Sequence, residues 1–188
     1  MDIKIDHRGK FGELLRILNF TGNGMEIGVE KGKFSKVILN SNLSKVYLLD
    51  AWMKFSPEES RGMIDIEQSD QDKNYDIVVK NSKPYGDRVV IIRKRSDEAI
   101  NDFEDGFFDF IYIDANHDYE HVKQDLSLWY PKVKNCGIFA GHDYVNVKTS
   151  SAIFGVKQAV DEFCVENRIN DLFVTNERHN KSWYLLKR

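Results

Sequence analysis

The sequence predicts an α/β domain built on a doubly wound, mostly parallel sheet whose last strand runs antiparallel. Stretches rich in β-branched and aromatic residues alternate repeatedly with stretches of helical periodicity, the pattern of a parallel sheet with crossover helices. The run Phe107–Ile113 is apolar almost throughout, as expected of a strand buried on both faces. The last two strand-like stretches are joined by a connection too short for a crossover helix, so the final strand is expected to be antiparallel.

Length and composition describe a single domain over residues 1–188, because 188 residues suffice for one α/β core and not for two. The formal net charge of −3 provides no basic face, which argues against a nucleic-acid partner. Cys136 and Cys164 lie in apolar patterns without metal-ligand spacing and are expected to be buried free thiols in a reducing cytosol. No apolar run approaches the ~20 residues of a membrane span, and the charged N terminus is unlike a signal peptide. We therefore expect a cytoplasmic protein without membrane association.

The first half of the chain carries a helical segment and three strands. Residues 1–23 form the N-terminal helical segment, because apolar residues recur there at helical spacing. Gly24–Ser35 is predicted to be a short strand, a glycine turn and the start of a helix, and Lys45–Asp50 is the second strand. The next helix, within Ser69–Ser82, is expected to end before a proline, and Val89–Ile92 is the third strand.

The second half continues the alternation. Ser96 and Asp97 are expected to cap a short helix, and the fourth and fifth strands are Phe107–Ile113 and Cys136–Ala140. A helix with apolar residues at positions i, i+3, i+4, i+7 and i+8 begins at Val156. The closing strands are Asp171–Thr175 and Ser182–Leu186. The polar segments 53–69 and 145–155 are interpreted as loops on the substrate side.

A glycine turn between the first strand and its helix is the candidate cofactor site. The pattern EIGVEKG, residues 26–32, places glycines where backbone N–H groups can approach a ligand closely. Asp50 ends the next strand 22 positions after Gly28, where a carboxylate can accept hydrogen bonds from a ribose diol. The turn lacks the G-x-G-x-x-G pattern of dinucleotide binders, and Glu30 would repel a pyrophosphate. These features favour a cofactor without phosphate.

The chain resembles the class I S-adenosylmethionine-dependent methyltransferases from about Gly24 to Leu186. The resemblance rests on the acid-x-Gly-x-x-x-Gly turn, the acid after the second strand and the antiparallel last strand. The segments MEIGVEKGKFS, YLLDAW, IDANHDYEHVKQDL and GIFAGHDY further resemble small-molecule O-methyltransferases that include the macrocin- and mycinamicin-type sugar enzymes. The resemblance implies a Rossmann-like, seven-stranded sheet in a three-layer αβα sandwich. It also implies methyl transfer from S-adenosylmethionine to a hydroxyl of a small molecule, with a sugar as the expected acceptor.

The resemblance assigns residues of three strand ends to the cofactor. The glycine turn would line the pocket for the methionine part, with Glu26 near its amino group, and Asp50 would bind the ribose hydroxyls. The pair that follows the third strand would lie beside the adenine. The cofactor-binding residues predicted in this way are Glu26, Gly28, Gly32, Asp50, Ser96 and Asp97.

Strands four and five are neighbours in this fold, so Asp114 and the pair His142–Asp143 are expected side by side at one sheet edge. Two carboxylates and an imidazole there predict a divalent-metal site with Asp114, His142 and Asp143 as ligands. Related enzymes hold Mg²⁺ with acids at these places, and the metal would lower the pKa of the substrate hydroxyl. They commonly have an acid or amide in place of His142, and imidazole suits Mn²⁺, Fe²⁺ or Zn²⁺ better. A site without metal, in which His142 is structural, is the alternative.

His117 lies three residues past Asp114, where the resembling enzymes place a general base. Histidine can accept a hydroxyl proton at neutral pH, and a neighbouring carboxylate, Asp114 or Asp118, would hold its tautomer. Alternatively, His117 helps to cap the next helix, of which Asp118 is the expected N-cap. The predicted reaction is a direct displacement in which His117 and Asp114 act as catalytic residues and the protein supplies orientation and proton removal.

Three other functions remain open on the sequence alone. The run from His117 to His121 also fits the H-x-x-E-H zinc-peptidase motif, although a strand end before it and a helix start within it disfavour the required geometry. A Rossmann oxidoreductase that binds NAD or a nucleotide is the second, and a member that binds cofactor without catalysis is the third. A phenol, an amine or a larger glycan is an alternative acceptor, and a second subunit of a homo-oligomer could complete a pocket wall.

Overall fold

The computed structural model describes residues 3–56, 66–148 and 153–188. The strands, in chain order, are β1 (Asn23–Ile27), β2 (Lys45–Asp50), β3 (Val89–Arg93), β4 (Phe108–Ile113), β5 (Val133–Gly141), β6 (Asn146–Lys148), β7 (Ile153–Gly155), β8 (Leu172–Val174) and β9 (Trp183–Leu186). Seven of them form one sheet in the order β3-β2-β1-β4-β5-β9-β8. Strands β1 to β5 pair in parallel, and β9 runs antiparallel to both β5 and β8. The predicted fold class, a Rossmann-like and mostly parallel seven-stranded sheet with an antiparallel last strand, is confirmed.

Helices cover both faces of this sheet and complete the three layers. They are α1 (Phe11–Ile17), α2 (Ser35–Leu39), α3 (Gln68–Ser82), α4 (Ser96–Ala99), α5 (Tyr119–Trp129) and α6 (Val156–Glu166). On one face, α1 and α2 pack on the strands through Phe11, Leu15 and Ile38. On the other face, α5 and α6 pack through Trp129 and Val160. In the described part of the chain, no helix is both long enough and apolar enough to cross a membrane.

The register of the central strands brings three chain segments to one edge of the sheet. Ile27 at the end of β1 pairs with Ile113 at the end of β4, which in turn pairs with Gly141 at the end of β5. Two backbone hydrogen bonds extend this pairing by one residue. Asp114 N donates to Ile27 O at 2.7 Å, and His142 N donates to Ile113 O at 2.9 Å. The segments that follow β1, β4 and β5 therefore leave the sheet side by side.

The two cysteines differ from each other in burial, which corrects the prediction for one of them. Cys164 is buried, as expected, whereas Cys136 is exposed. The fifth strand begins at Val133, before its predicted start, and its register with β4 shifts between Val133 and Ile138. Cys136 lies in this irregularity with a φ of +65°, and its side chain is exposed there.

The two predicted substrate-side loops are described only in part. Residues 57–65 of the segment 53–69 and residues 149–152 of the segment 145–155 lie outside the described residues. The remainder of 145–155 is not a simple polar loop, because β6 and β7 pair there as an antiparallel hairpin. Gly155 at the end of this hairpin donates its N–H to the carbonyl of His117 at 2.8 Å. The hairpin is therefore fixed directly beside the ends of β4 and β5.

Candidate active site

A cavity of about 700 Å³ opens at the edge of the sheet where β1, β2, β4 and β5 end. Its wall includes almost every residue that the sequence assigned to cofactor, catalysis or metal: Glu26, Gly28, Asp50, Ser96, Asp97, Asp114, His117, His142 and Asp143. Gly32 is the exception, since it does not line the cavity. Gly32 instead closes the turn, donating its N–H to the carbonyl of Val29 at 2.8 Å with a φ of +70°.

Gly28 is required where the cofactor turn meets the end of β4. Its φ is +86°, and a Cβ atom there would lie 2.1 Å from the carbonyl oxygen of Asp114 and 2.7 Å from Cα of Ala115. Only glycine adopts this backbone conformation without strain and leaves room for such a close approach. The turn after β1 and the polar segment after β4 are therefore in direct backbone contact.

Asp50 shapes the same turn through its carboxylate. Its Oδ2 accepts hydrogen bonds from the backbone N–H groups of Val29 at 2.8 Å and Glu30 at 2.9 Å. Its Oδ1 accepts one from the N–H of Trp52 at 2.8 Å. Each carboxylate oxygen has about two acceptor sites, so these three bonds leave part of the capacity of Asp50 for a ligand.

Glu26 is a fully buried acid at the inner end of the cavity, with 1% of its surface exposed. Burial raises the pKa of Glu26 from 4.5 to about 8, and the nearby carboxylates of Asp114 and Asp50 act in the same direction. The Ser35 hydroxyl donates a hydrogen bond to Oε2 of Glu26, which opposes the increase in part. A buried carboxyl in this state recovers its charge only beside a cation.

A compact polar cluster follows β4 and β5. The Nδ1 atom of His142 lies 3.5 Å from Oδ1 of Asp114 and 3.4 Å from Oδ2 of Asp143. Burial alone would lower the pKa of His142, but its contacts with the two carboxylates outweigh burial and raise the pKa to about 9. Conversely, burial opposes the charge of Asp143, but contact with His142 lowers the pKa of Asp143 below its ordinary value. The two carboxylates therefore favour the imidazolium form of His142 at neutral pH.

His117 joins this cluster from the segment after β4. Its Nε2 lies 3.5 Å from Oδ2 of Asp143, and its ring stacks on Phe154 of the hairpin at 5.0 Å between centroids. Donor atoms of Asp114, His117 and Asp143 all lie within 4.8 Å of one another, which is close enough for one metal ion. The sequence predicted His142 as the third metal ligand, whereas this set of three contains His117. Oδ1 of Asp143 is buried without a hydrogen-bond partner among the described residues.

The far end of the cavity is lined by the start of α4 and by α5. The predicted cap is wrong in detail, because α4 begins at Ser96 and its N-cap is Arg95. Ser96 and Asp97 therefore belong to the first turn, where the Ser96 hydroxyl donates to Oδ1 of Asp125 at 2.7 Å. Burial raises the pKa of Asp125 to about 6. Asp125 lines the cavity as well.

Asp118 is the N-cap of α5, as predicted. Its φ and ψ of −71° and 155° are extended, and its Oδ1 accepts hydrogen bonds from Glu120 N at 3.0 Å and His121 N at 3.1 Å. Its other oxygen lies 2.6 Å from Nδ1 of His121. The two histidines of the H-x-x-E-H run thus contact different acids, Asp118 and Asp143. Among the described residues, the set that could hold a metal does not include His121.

The sequence matches the family described as "Methyltransferase domain" over residues 25–144, more than half of the chain. The protein y4gI of Sinorhizobium fredii, described as uncharacterized, is 32% identical over 69 residues, which are 37% of this chain and 8% of that protein. The chain thus spans less than a tenth of the length of that relative.

Solved methyltransferase structures share the fold. The O-methyltransferase from Bacillus cereus in complex with SAH superposes with a TM-score of 0.62 at 19% identity, covering 96% of this chain and 80% of that chain. The 1,6-didemethyltoxoflavin-N1-methyltransferase of Burkholderia thailandensis superposes with a TM-score of 0.59 at 11% identity, covering 97% and 79%.

Proposed function

Since this chain belongs to the methyltransferase domain family, we propose that it is an S-adenosylmethionine-dependent O-methyltransferase acting on a small-molecule hydroxyl, with a sugar as the preferred acceptor class. One observation carries this proposal. A single cavity holds the buried acid Glu26 beside the glycine turn, and also the polar cluster of Asp114, His117 and Asp143. The first feature suits the amino-acid end of the cofactor, and the second suits an acceptor whose proton must be removed. The relatives solved with SAH support the choice of cofactor.

The residues around the glycine turn fit S-adenosylmethionine. Among the described residues, the hydrogen-bond partner of Glu26 is the neutral hydroxyl of Ser35. The ammonium group of the methionine moiety would supply the missing cation and return Glu26 to its charged form. Asp50 and the pair Ser96–Asp97 line the same cavity, where the ribose hydroxyls and the adenine are expected.

The chain's own part in the reaction is to orient the acceptor and to remove its proton. S-adenosylmethionine, when bound, supplies a methyl group on a sulfonium centre that needs no further activation. His117 is the proposed general base, because its Nε2 faces Asp143 at 3.5 Å while Phe154 restricts the plane of the ring. A base held in one orientation supplies much of its rate enhancement through geometry.

The polar cluster also has donors suited to a divalent ion. Asp114 and Asp143 of this cluster would hold it, because His117 cannot bind an ion and accept a proton at the same time. Carboxylate oxygens suit Mg²⁺ or Mn²⁺. The ion would supply Lewis-acid polarisation of the acceptor hydroxyl. Two cations already lie against the same carboxylates: the imidazolium of His142 and the guanidinium of Arg8, which is 3.5 Å from Oδ2 of Asp114. We therefore expect a divalent ion to bind weakly and to assist the base, not to replace it.

The proposal is tested in two steps with the purified chain. Isothermal titration is expected to show binding of S-adenosylhomocysteine (SAH) and none of NAD. Incubation with S-adenosylmethionine and a panel of glycosides, phenols and amines is then followed by mass spectrometry for SAH and the methylated product. Product from a glycoside hydroxyl is the expected result. Binding of NAD in place of SAH would identify a Rossmann oxidoreductase, and methylation of amines alone would refute the O-methyltransferase assignment.

A further inference from the structure

The N-terminal segment, residues 3–10, is fixed to the rest of the fold by long-range hydrogen bonds. The hydroxyl of Tyr184 on β9 accepts from Ile5 N at 2.9 Å and donates to Ile3 O at 3.0 Å. Asn176 donates its N–H to Asp6 O at 2.9 Å. These contacts hold the short helical turn Arg8–Lys10 in place, so that Arg8 lines the cavity.

The guanidinium of Arg8 is partly buried and has few polar partners among the described residues. Its side chain is 23% exposed, and Cζ lies 4.6 Å from the ring centroid of Phe34. Its ionic contact is the 3.5 Å approach to Asp114, and it donates no hydrogen bond to any other described residue. A guanidinium carries five N–H donors in a planar fork, and buried donors of this kind are normally paired. Arg8 thus presents unused donors to the cavity.

The position of Arg8 relative to Glu26 identifies the ligand group that these donors suit. Phe34, which lies under Arg8, is followed directly by Ser35, whose hydroxyl donates to Glu26. The charge of Arg8 also acts on Glu26, where it opposes the increase in pKa caused by burial. A planar cation and a buried acid thus lie at the same end of the cavity. This arrangement complements an α-amino acid, whose carboxylate and ammonium share one carbon atom.

We propose that Arg8 binds the carboxylate of the methionine moiety of the cofactor while Glu26 binds its ammonium group. The inference rests on the proposed function and extends it to a segment that lies outside the family match. The planar fork of Arg8 matches a carboxylate through two parallel hydrogen bonds, which are among the stronger hydrogen bonds in proteins. The N-terminal segment thereby becomes part of the cofactor site.

A pair of ligands isolates this contact. One is SAH, and the other is its decarboxylated analogue, which keeps the amino group and lacks the carboxylate. Wild-type protein is expected to bind SAH about 10- to 100-fold more tightly than the analogue. This ratio corresponds to the free energy contributed by a hydrogen bond to a charged group. Arg8→Gln is expected to remove most of this preference while leaving the Kd of the analogue within about threefold of wild type. Arg8→Lys should retain part of it, because an ammonium is a point charge without the fork.

Lys10 provides the matched control. It lies in the same turn, its side chain is 56% exposed, and it pairs with Glu13 at 3.0 Å outside the cavity wall. Lys10→Gln should leave both Kd values unchanged. The assignment of Arg8 is overturned if Arg8→Gln preserves the preference for SAH, as it would if Arg8 served an acidic acceptor. Equal weakening of both ligands by Arg8→Gln also overturns it, since that points to a disturbed segment. If wild-type protein binds neither ligand, the proposed function itself fails.

Discussion

Replacement of Glu26 by Gln in the cofactor-free protein should stabilise the fold, and more strongly as the pH rises. The pKa of Glu26 is raised from 4.5 to about 8 by burial, so the folded chain holds this proton more tightly than the unfolded chain. Stability contributed by the neutral acid is fully present below pH 4.5 and is lost as the pH rises through about 8. At roughly 1.4 kcal/mol per pH unit, the loss is about 3 kcal/mol at pH 7 and about 5 kcal/mol above pH 8. Gln remains neutral and can still accept the hydrogen bond from Ser35.

The measurement is urea unfolding of wild type and variant at pH 5, 7 and 8.5, followed by tryptophan fluorescence, since all three tryptophans are buried. The difference in free energy of unfolding between variant and wild type should grow by a few kcal/mol from pH 5 to pH 8.5. Glu30→Gln is the control, because Glu30 lies in the same turn with its side chain 53% exposed. Its difference from wild type should stay within about 0.5 kcal/mol at every pH. A pH-independent difference for Glu26→Gln would refute the argument that burial holds this acid in its neutral form.

Three further predictions concern the polar cluster and the turn beside it. His117→Ala should lower kcat by about 10²- to 10⁴-fold and leave the Kd of SAH unchanged; an unchanged kcat would exclude His117 as the base. Gly28→Ala should lower the free energy of unfolding by about 3 kcal/mol or more, because its Cβ would lie 2.1 Å from Asp114 O. In the control Gly86→Ala, φ is also positive but nothing lies within 4 Å, so the cost should be only about 1 kcal/mol. Titration with Mn²⁺ should show one weak site that Asp143→Asn abolishes, and EDTA should reduce turnover; full activity in EDTA contradicts metal assistance.

The fold was predictable because its determinants are local in sequence. Strand β4 is buried at every position, so its apolar character appears as an unbroken run in the sequence. The hairpin of β6 and β7 was missed because its strands are three residues long, too short to show a period of two. The exposure of Cys136 was missed for a related reason. It depends on a register shift between β4 and β5, which is set by pairing between distant segments.

The candidate site likewise contains some residues that the sequence predicted and others that it did not. Asp114, His142 and Asp143 were expected to lie together, as they do in the structure, because polar residues after buried parallel strands collect at one edge of the sheet. Arg8 was missed because its position depends on Tyr184, which is far away in the sequence. No pattern in the segment around Arg8 indicates that contact. Likewise, the protonated state of His142 follows from distances to two carboxylates, which a sequence does not contain.

The contact between Gly28 and Asp114 explains how the two halves of the site stay aligned. Gly28 N donates to Leu49 O at 2.9 Å, and Asp114 N donates to Ile27 O at 2.7 Å, so both segments continue the hydrogen bonding of the sheet. Methyl transfer requires the acceptor and the cofactor to be held within a fraction of an ångström, and rigid elements provide this better than loops. Alignment would therefore be set by the sheet edge, and we expect acceptor contacts to come from peripheral groups such as Phe154 on the hairpin, which lines the same cavity. Substitution on the hairpin should accordingly change acceptor choice without changing cofactor affinity.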